Sequence, residues 1–242
     1  MNNYTNNYTK LLVKLDFAYW KDKNPYFAQE DLHSSMAIGL GIIQKCGFLK
    51  DFNPKSSIEV SEAIEKAIKD YLDEPTNDSL LARVFDLIQA WGGKMGRHPY
   101  VVSKSRQRFS EWCGVYRRGS DYARGGQYAE ALSSWDAIDG LGVSFATKHL
   151  RFWGGMPILD TRISLLLTGK KSPPTYDLFI SMLKEIAQDR KLTLMEVEAG
   201  LFAFSQAFFP NEKLRLAEAA NMGQKNSDIA SGLAALYDIG NQ

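Results

Sequence analysis

Two cysteines, Cys46 and Cys113, and three histidines, His33, His98 and His149, are all the thiol and imidazole groups in 242 residues. They are scattered and form no CxxC pair, so thiolates can build neither a zinc site nor a four-cysteine iron–sulfur cluster, and no metal is expected on side chains. Both cysteines read as small core residues. A Walker A loop and the HxE…PCxxC signature are absent as well, which removes the usual chemistry of NTP hydrolysis and zinc-dependent base deamination. No redox or nucleotide cofactor is expected. Apolar runs such as Met36 to Ile43 are too short to span a bilayer, and no signal-peptide pattern follows Met1. A cytoplasmic protein without a membrane partner is the expectation. Sustained alternation of apolar and polar residues is also scarce, so strands are not predicted.

What remains is ordinary globular material: 45% hydrophobic, 12% aromatic and 24% charged residues, enough chain for one to two domains. The net charge of +1 hides an asymmetry. Residues 94–171 carry thirteen Lys/Arg against six Asp/Glu, while the rest of the chain is acidic. One basic face would draw a polyanion to that side, although charge runs are also merely solvated surfaces.

The apolar period is helical almost throughout, after a polar stub in which NNYT occurs twice between Asn2 and Thr9. Ser56 and Glu59 form a capping box ahead of Ile64, Ala67, Ile68, Tyr71 and Leu72, with Glu62/Lys66 and Glu65/Lys69 spaced to pair outside. A second helix starts near Asn77, turns Leu81, Val84, Phe85, Leu87, Ile88 and Trp91 inward, and stops at Gly92–Gly93. Thr193 and Glu196 cap another that runs to Phe209 and Pro210, and Ser227 opens a last one through Tyr237. The fold class predicted is all-α.

Between helical stretches lies Ile138-Asp139-Gly140-Leu141-Gly142-Val143-Ser144, then an apolar helix, then Met156-Pro157-Ile158-Leu159-Asp160-Thr161-Arg162. The two glycines allow a tight hairpin whose backbone comes close to a ligand, and amides at the following helix start bind phosphate. A plain αα-hairpin explains the glycines equally well, and a helix cap explains Asp160.

Hairpin, apolar helix and downstream P-x-x-D together resemble the helix-hairpin-helix (HhH-GPD) DNA glycosylase superfamily, whose hairpin has the form LPGVGxKTA. The nearest likeness is to the bacterial 8-oxoguanine-glycosylase-fold group, some of whose members act in phage defence on hypermodified cytosine. The resemblance implies a two-lobed helical fold with a DNA-binding cleft between lobes: residues 77–155 carrying the hairpin, and 1–76 with 156–242 forming the second lobe. It implies double-stranded DNA carrying a modified base as partner. Asp160 falls on the catalytic aspartate, whose carboxylate stabilises an oxocarbenium-like sugar and orients water. Members with lyase activity place a lysine where this chain has Ser144, so the resemblance implies base excision without strand cleavage. Lys148, one turn beyond, keeps a lyase variant open; otherwise it contacts phosphate or solvent.

For DNA docking the resemblance implies amides near Gly140, Gly142 and Ser144 on one phosphate, with a monovalent cation sometimes held by carbonyls, here those of Asp136, Ile138 and Leu141. Lys94 and Arg97, in the basic glycine-rich loop after Trp91, would join them. Lys104, Arg106, Arg108, Arg117, Arg118 and Arg124 form the remaining pool of cations. Gln89 and Trp91 are candidates for the wedge and base pocket, and Phe204, within Gly200 to Ser205, for a ring stacked on the extruded base; both aromatics also read as core. Excision of glucosylated hydroxymethylcytosine from phage DNA, 8-oxoguanine-type repair, a non-catalytic helix-hairpin-helix DNA-binding module and a helical interaction protein are the readings carried forward.

Overall fold

The computed structural model describes residues 15–24, 26, 30–93, 101–168, 172–188 and 190–208. Among the described residues every regular element is helical and none is a strand. They are α1 (Phe17–Lys21), α2 (Ser34–Lys45), α3 (Ser57–Asp73), α4 (Asp78–Gly92), α5 (Phe109–Arg124), α6 (Tyr128–Asp136), α7 (Val143–Gly154), α8 (Thr161–Thr168), α9 (Tyr176–Gln188) and α10 (Leu194–Phe208). A π-helical turn, Val101–Ser105, and a 3-10 turn, Arg106–Arg108, lead into α5. The helix expected from Ser227 and the stub before Thr9 lie outside the described residues.

The predicted caps form. Ser56 Oγ accepts the Glu59 amide at 3.1 Å, while the Glu59 carboxylate takes the Lys55 amide at 2.8 Å, one residue further out than a reciprocal box requires. At α10 the box closes both ways: Thr193 Oγ1 accepts from Glu196 N and Glu196 Oε2 accepts from Thr193 N. Asn77 caps α4, and Gly93, at φ +74°, ends it. On the outer face of α3, Lys66 pairs with Asp70 at 2.6 Å. Leu72, expected inside, is 36% exposed.

Two compact units result: Met1–Asn24 with Leu159–Gln242, and Pro25–Ile158. In this division residues 25–76 go with residues 77–155, where the expectation above groups them with the chain ends. The reason is α4, against which both α2 and α3 pack. The first unit buries Phe17, Leu159, Ile163, Phe179, Leu183, Val197 and Leu201 in one apolar cluster. The second buries a ring assembly in which Phe85 meets Trp112, Tyr116 and His149.

Candidate functional site

Helix α6 ends at Asp136, and the turn that follows is closed by Ile138 N–H to the Trp135 carbonyl, Leu141 N–H to the Ile138 carbonyl and Gly142 N–H to the Gly140 carbonyl. Gly140 sits at φ +87°, a conformation that any β-carbon would strain. Ile138 and Leu141 point inward, 2% and 3% exposed, and pin the loop to the core. Its other side faces outward: Gly142 and Val143 are exposed, and a Cβ on Gly142 would meet nothing within 4 Å. Gly142 opens α7, and among the described residues no side chain caps it, so the first amides of that helix lie at its positive end beside the exposed Gly142 and Val143.

One turn into α7, Lys148 is only 5% exposed. Its Nζ donates to both the carbonyl and the Oγ of Ser144, each at 3.2 Å, and lies 4.5 Å from the centre of the Phe145 ring. Its stem runs beside Gly92, where a Cβ would come within 3.0 Å of Lys148 Cδ and closer still to Phe145. The Lys148 ammonium is therefore held against the Ser144 side chain.

Asp160 belongs to the other unit. It is 4% exposed and caps α8, its Oδ1 accepting the Arg162 amide at 2.7 Å and its carbonyl accepting from Ser164 N. This fixes the direction of the carboxylate. Arg162 places its guanidinium carbon 5.8 Å from the Phe202 ring centre, and its buried Nη1 has no hydrogen-bond partner among the described residues.

The base-pocket candidates lie within the interiors of the two units. Gln89 is fully buried, its amide 2.9 Å from His149 Nε2. Trp91 is 2% exposed, donates to Ser61 Oγ at 3.2 Å and packs against Tyr26 and Phe152. Phe204 is 5% exposed, in the apolar cluster of its unit and edge-on to Trp20. Lys94 and Arg97 lie outside the described residues. Of the cation pool, four arginines face carboxylates: Arg106 on Asp86, Arg108 on Glu111, Arg117 on Asp78 and Arg124 on Asp121. At the proposed cation carbonyls, that of Ile138 already accepts the Leu141 amide.

Sequence reasoning passes over His149 as one scattered histidine. In the structure its Nδ1 lies 2.7 Å from the Tyr116 hydroxyl, which also receives the Trp153 indole N–H at 3.0 Å. A neutral imidazole donates from one nitrogen and accepts at the other, as a phenol on one side and a carboxamide on the other allow. Complete burial, reinforced by the Lys148 charge, pushes His149 down to about 3, and complete burial alone is the main cause that holds the Tyr116 phenol well above its ordinary range. The available signal was a histidine and a tyrosine each on the apolar side of a helix.

Among the described residues no three His, Cys, Asp or Glu side chains converge as a metal site, and no helix is long and apolar enough to cross a membrane. Compared with protein-family models, curated proteins and solved structures, the chain matches none.

Proposed function

We propose that this protein is a DNA glycosylase that extrudes a modified base from duplex DNA and hydrolyses its N-glycosidic bond, leaving an abasic site. The observation that carries this reading is the hairpin: an exposed, uncapped helix start at Gly142 with a buried ammonium, Lys148, one turn behind it. The helix-start amides suit a backbone phosphate and fix register without reading sequence. Asp160 supplies the chemistry. Its carboxylate, aimed by the Arg162 amide, would lie beneath the sugar as the C1′–N bond breaks, stabilise the positive charge, and take a proton from the water that adds to C1′. The two-lobed arrangement implied by the resemblance is part of this proposal. So is a modified base, glucosylated hydroxymethylcytosine in phage DNA or an oxidised purine, as the leaving group.

The contact between Lys148 Nζ and Ser144 favours a second reading, in which the amine attacks C1′ and the enzyme is also a lyase. One assay separates these. Purified protein is incubated with DNAs of defined modification, released bases are identified by mass spectrometry, and parallel samples are treated with borohydride. Asp160→Asn should cut base release by about a hundredfold or more while changing duplex affinity by less than about threefold. Equal release from parent and variant would exclude the glycosylase reading. A borohydride-trapped covalent complex that disappears in Lys148→Ala would establish the lyase. Salt-dependent duplex binding without release of any base would leave a non-catalytic DNA-binding module.

A further inference from the structure

The hairpin presents amides in one direction only if its turn is anchored, and the residues that anchor it come from a segment the sequence marks only as a source of cations. Val101–Ser105 makes one π-helical turn and Arg106–Arg108 one 3-10 turn. Neither geometry propagates by itself, so where this strap sits depends on its anchors.

Those anchors are strong. Val101 and Val102 are each 1% exposed, and Val102 packs with Leu40, Ile43 and Ala90. The Ser105 carbonyl accepts the Trp112 indole N–H at 2.8 Å. Arg106 Nε meets Asp86 Oδ1 at 2.7 Å, with both side chains largely buried, and the guanidinium stacks 4.2 Å from the Phe48 ring centre and 5.1 Å from that of Phe109. Between these fixed points the Ser105 hydroxyl, on a residue 5% exposed, donates to the carbonyl of Asp139 in the hairpin turn.

We infer that Ser105, locked by the Arg106–Asp86 pair, is the positioning residue of the hairpin, setting the direction in which the first amides of α7, those of Val143 and Ser144, face. Asp139 immediately precedes Gly140, whose φ of +87° reverses the chain, so a fixed Asp139 carbonyl fixes the peptide plane that enters the reversal. The ion pair is a costly anchor. Burial pushes the Asp86 carboxyl up to about 6 against the opposing pull of Arg106 and Arg83, and apolar residues fill such places at no loss of stability. An ion pair at this place fits a part that must hold one geometry. Phosphate docking rests on the function proposed above; the positioning claim has a readout of its own.

The test is amide hydrogen exchange over residues 138–146 in the parent, Ser105→Ala, Ser105→Thr and Asp86→Asn. Ser105→Ala and Asp86→Asn should speed exchange there by about tenfold and leave α3 and α9 within about twofold, because local opening is decoupled from the rest of the fold. Ser105→Thr, which keeps the hydroxyl, should restore the parental rate. Should a variant fail to fold, Arg106→Lys, which keeps the charge and loses the stacked planar fork, supplies a milder perturbation with the same expectation. Hairpin exchange within twofold of parent, or equal acceleration in α3, would overturn the inference. Duplex titrations of the same proteins should show weaker binding with an unchanged salt slope, since no phosphate-facing cation is removed. A parent that binds no duplex sinks the docking reading and leaves the exchange result to decide the strap.

Discussion

Residues 25–158 fold around hydrogen-bonded polar side chains set among rings, whereas the unit holding residues 159–208 folds around a continuous apolar cluster. In the first, His149 joins Tyr116, Trp153 and Gln89, and Asp86 holds Arg106. In the second, Phe179, Leu183, Ile186, Val197 and Leu201 are each at most 1% exposed and make apolar contacts. The first interior is specified by hydrogen-bonded polar pairs, and losing one partner costs more than losing an apolar contact. The second is specified by shape and volume, and its weak point is a cavity. Acid should find the first, and truncation should damage the second.

The acid response tests the polar interior directly. His149 is held neutral, with its folded value depressed to about 3 from 6.5, so the unfolded chain binds a proton the folded chain refuses. Stability present above pH 6.5 is therefore lost as pH falls from 6.5 towards 3, at about 1.4 kcal/mol per pH unit. Asp86 runs the other way: with its folded value raised to about 6 from 3.8, it returns stability as pH falls from 6 to 4 and nothing further below that. The two nearly cancel between pH 6 and 4, so the net loss occurs between 6.5 and 6 and again below 4. Hydrogen exchange against pH should show residues 109–154 losing protection before α8 to α10; simultaneous loss would break the comparison.

Next comes truncation. Phe179→Ala in the apolar unit should cost about 3–5 kcal/mol in denaturant unfolding, by lost burial and a cavity, with no dependence on pH between 4 and 7. A pH-dependent cost would show that this interior is coupled to titrating groups. Smaller is Gly119→Ala. A Cβ there overlaps the Trp135 indole, whose N–H donates to the Tyr116 carbonyl, so about 1–3 kcal/mol should be lost with a shift in tryptophan fluorescence. Smallest is Lys66→Ala on the exposed face of α3, which should move the unfolding midpoint by less than about 0.5 kcal/mol.

Much of the helical framework could be read along the chain, because its signals are local. Asn77 and Gly93 bound α4 as expected, Thr193 with Glu196 opens α10, and Gly140 makes the turn its lack of a side chain permits. The basic surplus was legible only as a count. Drawn over residues 94–171, the window leaves out Asp78 and Asp86 on α4, the partners of Arg117 and Arg106, so the count overstates the free positive charge. Pairings such as Gln89 with His149, 60 residues apart, or Ser105 with Asp139, have no periodic signature, since they depend on which helix faces meet. The role of Asp160 is legible in part: the cap at Arg162 follows from Asp-Thr-Arg before an apolar run, while its burial follows only from the packing of α8.

The short helix α1 packs on α10, with Phe17 filling the space left open by Gly200 and Lys21 paired to Glu196 across 175 residues. Residues 25–158 are spliced into the sequence between these two partners. At about 5–20 residues per second a ribosome needs about 10–35 s to make the stretch that separates them. The inserted unit is fully synthesised before that interval ends, while Phe17 still waits for Gly200. Birth order on the ribosome is thus written into the topology: the middle of the chain matures first, and its beginning is completed only when its end arrives.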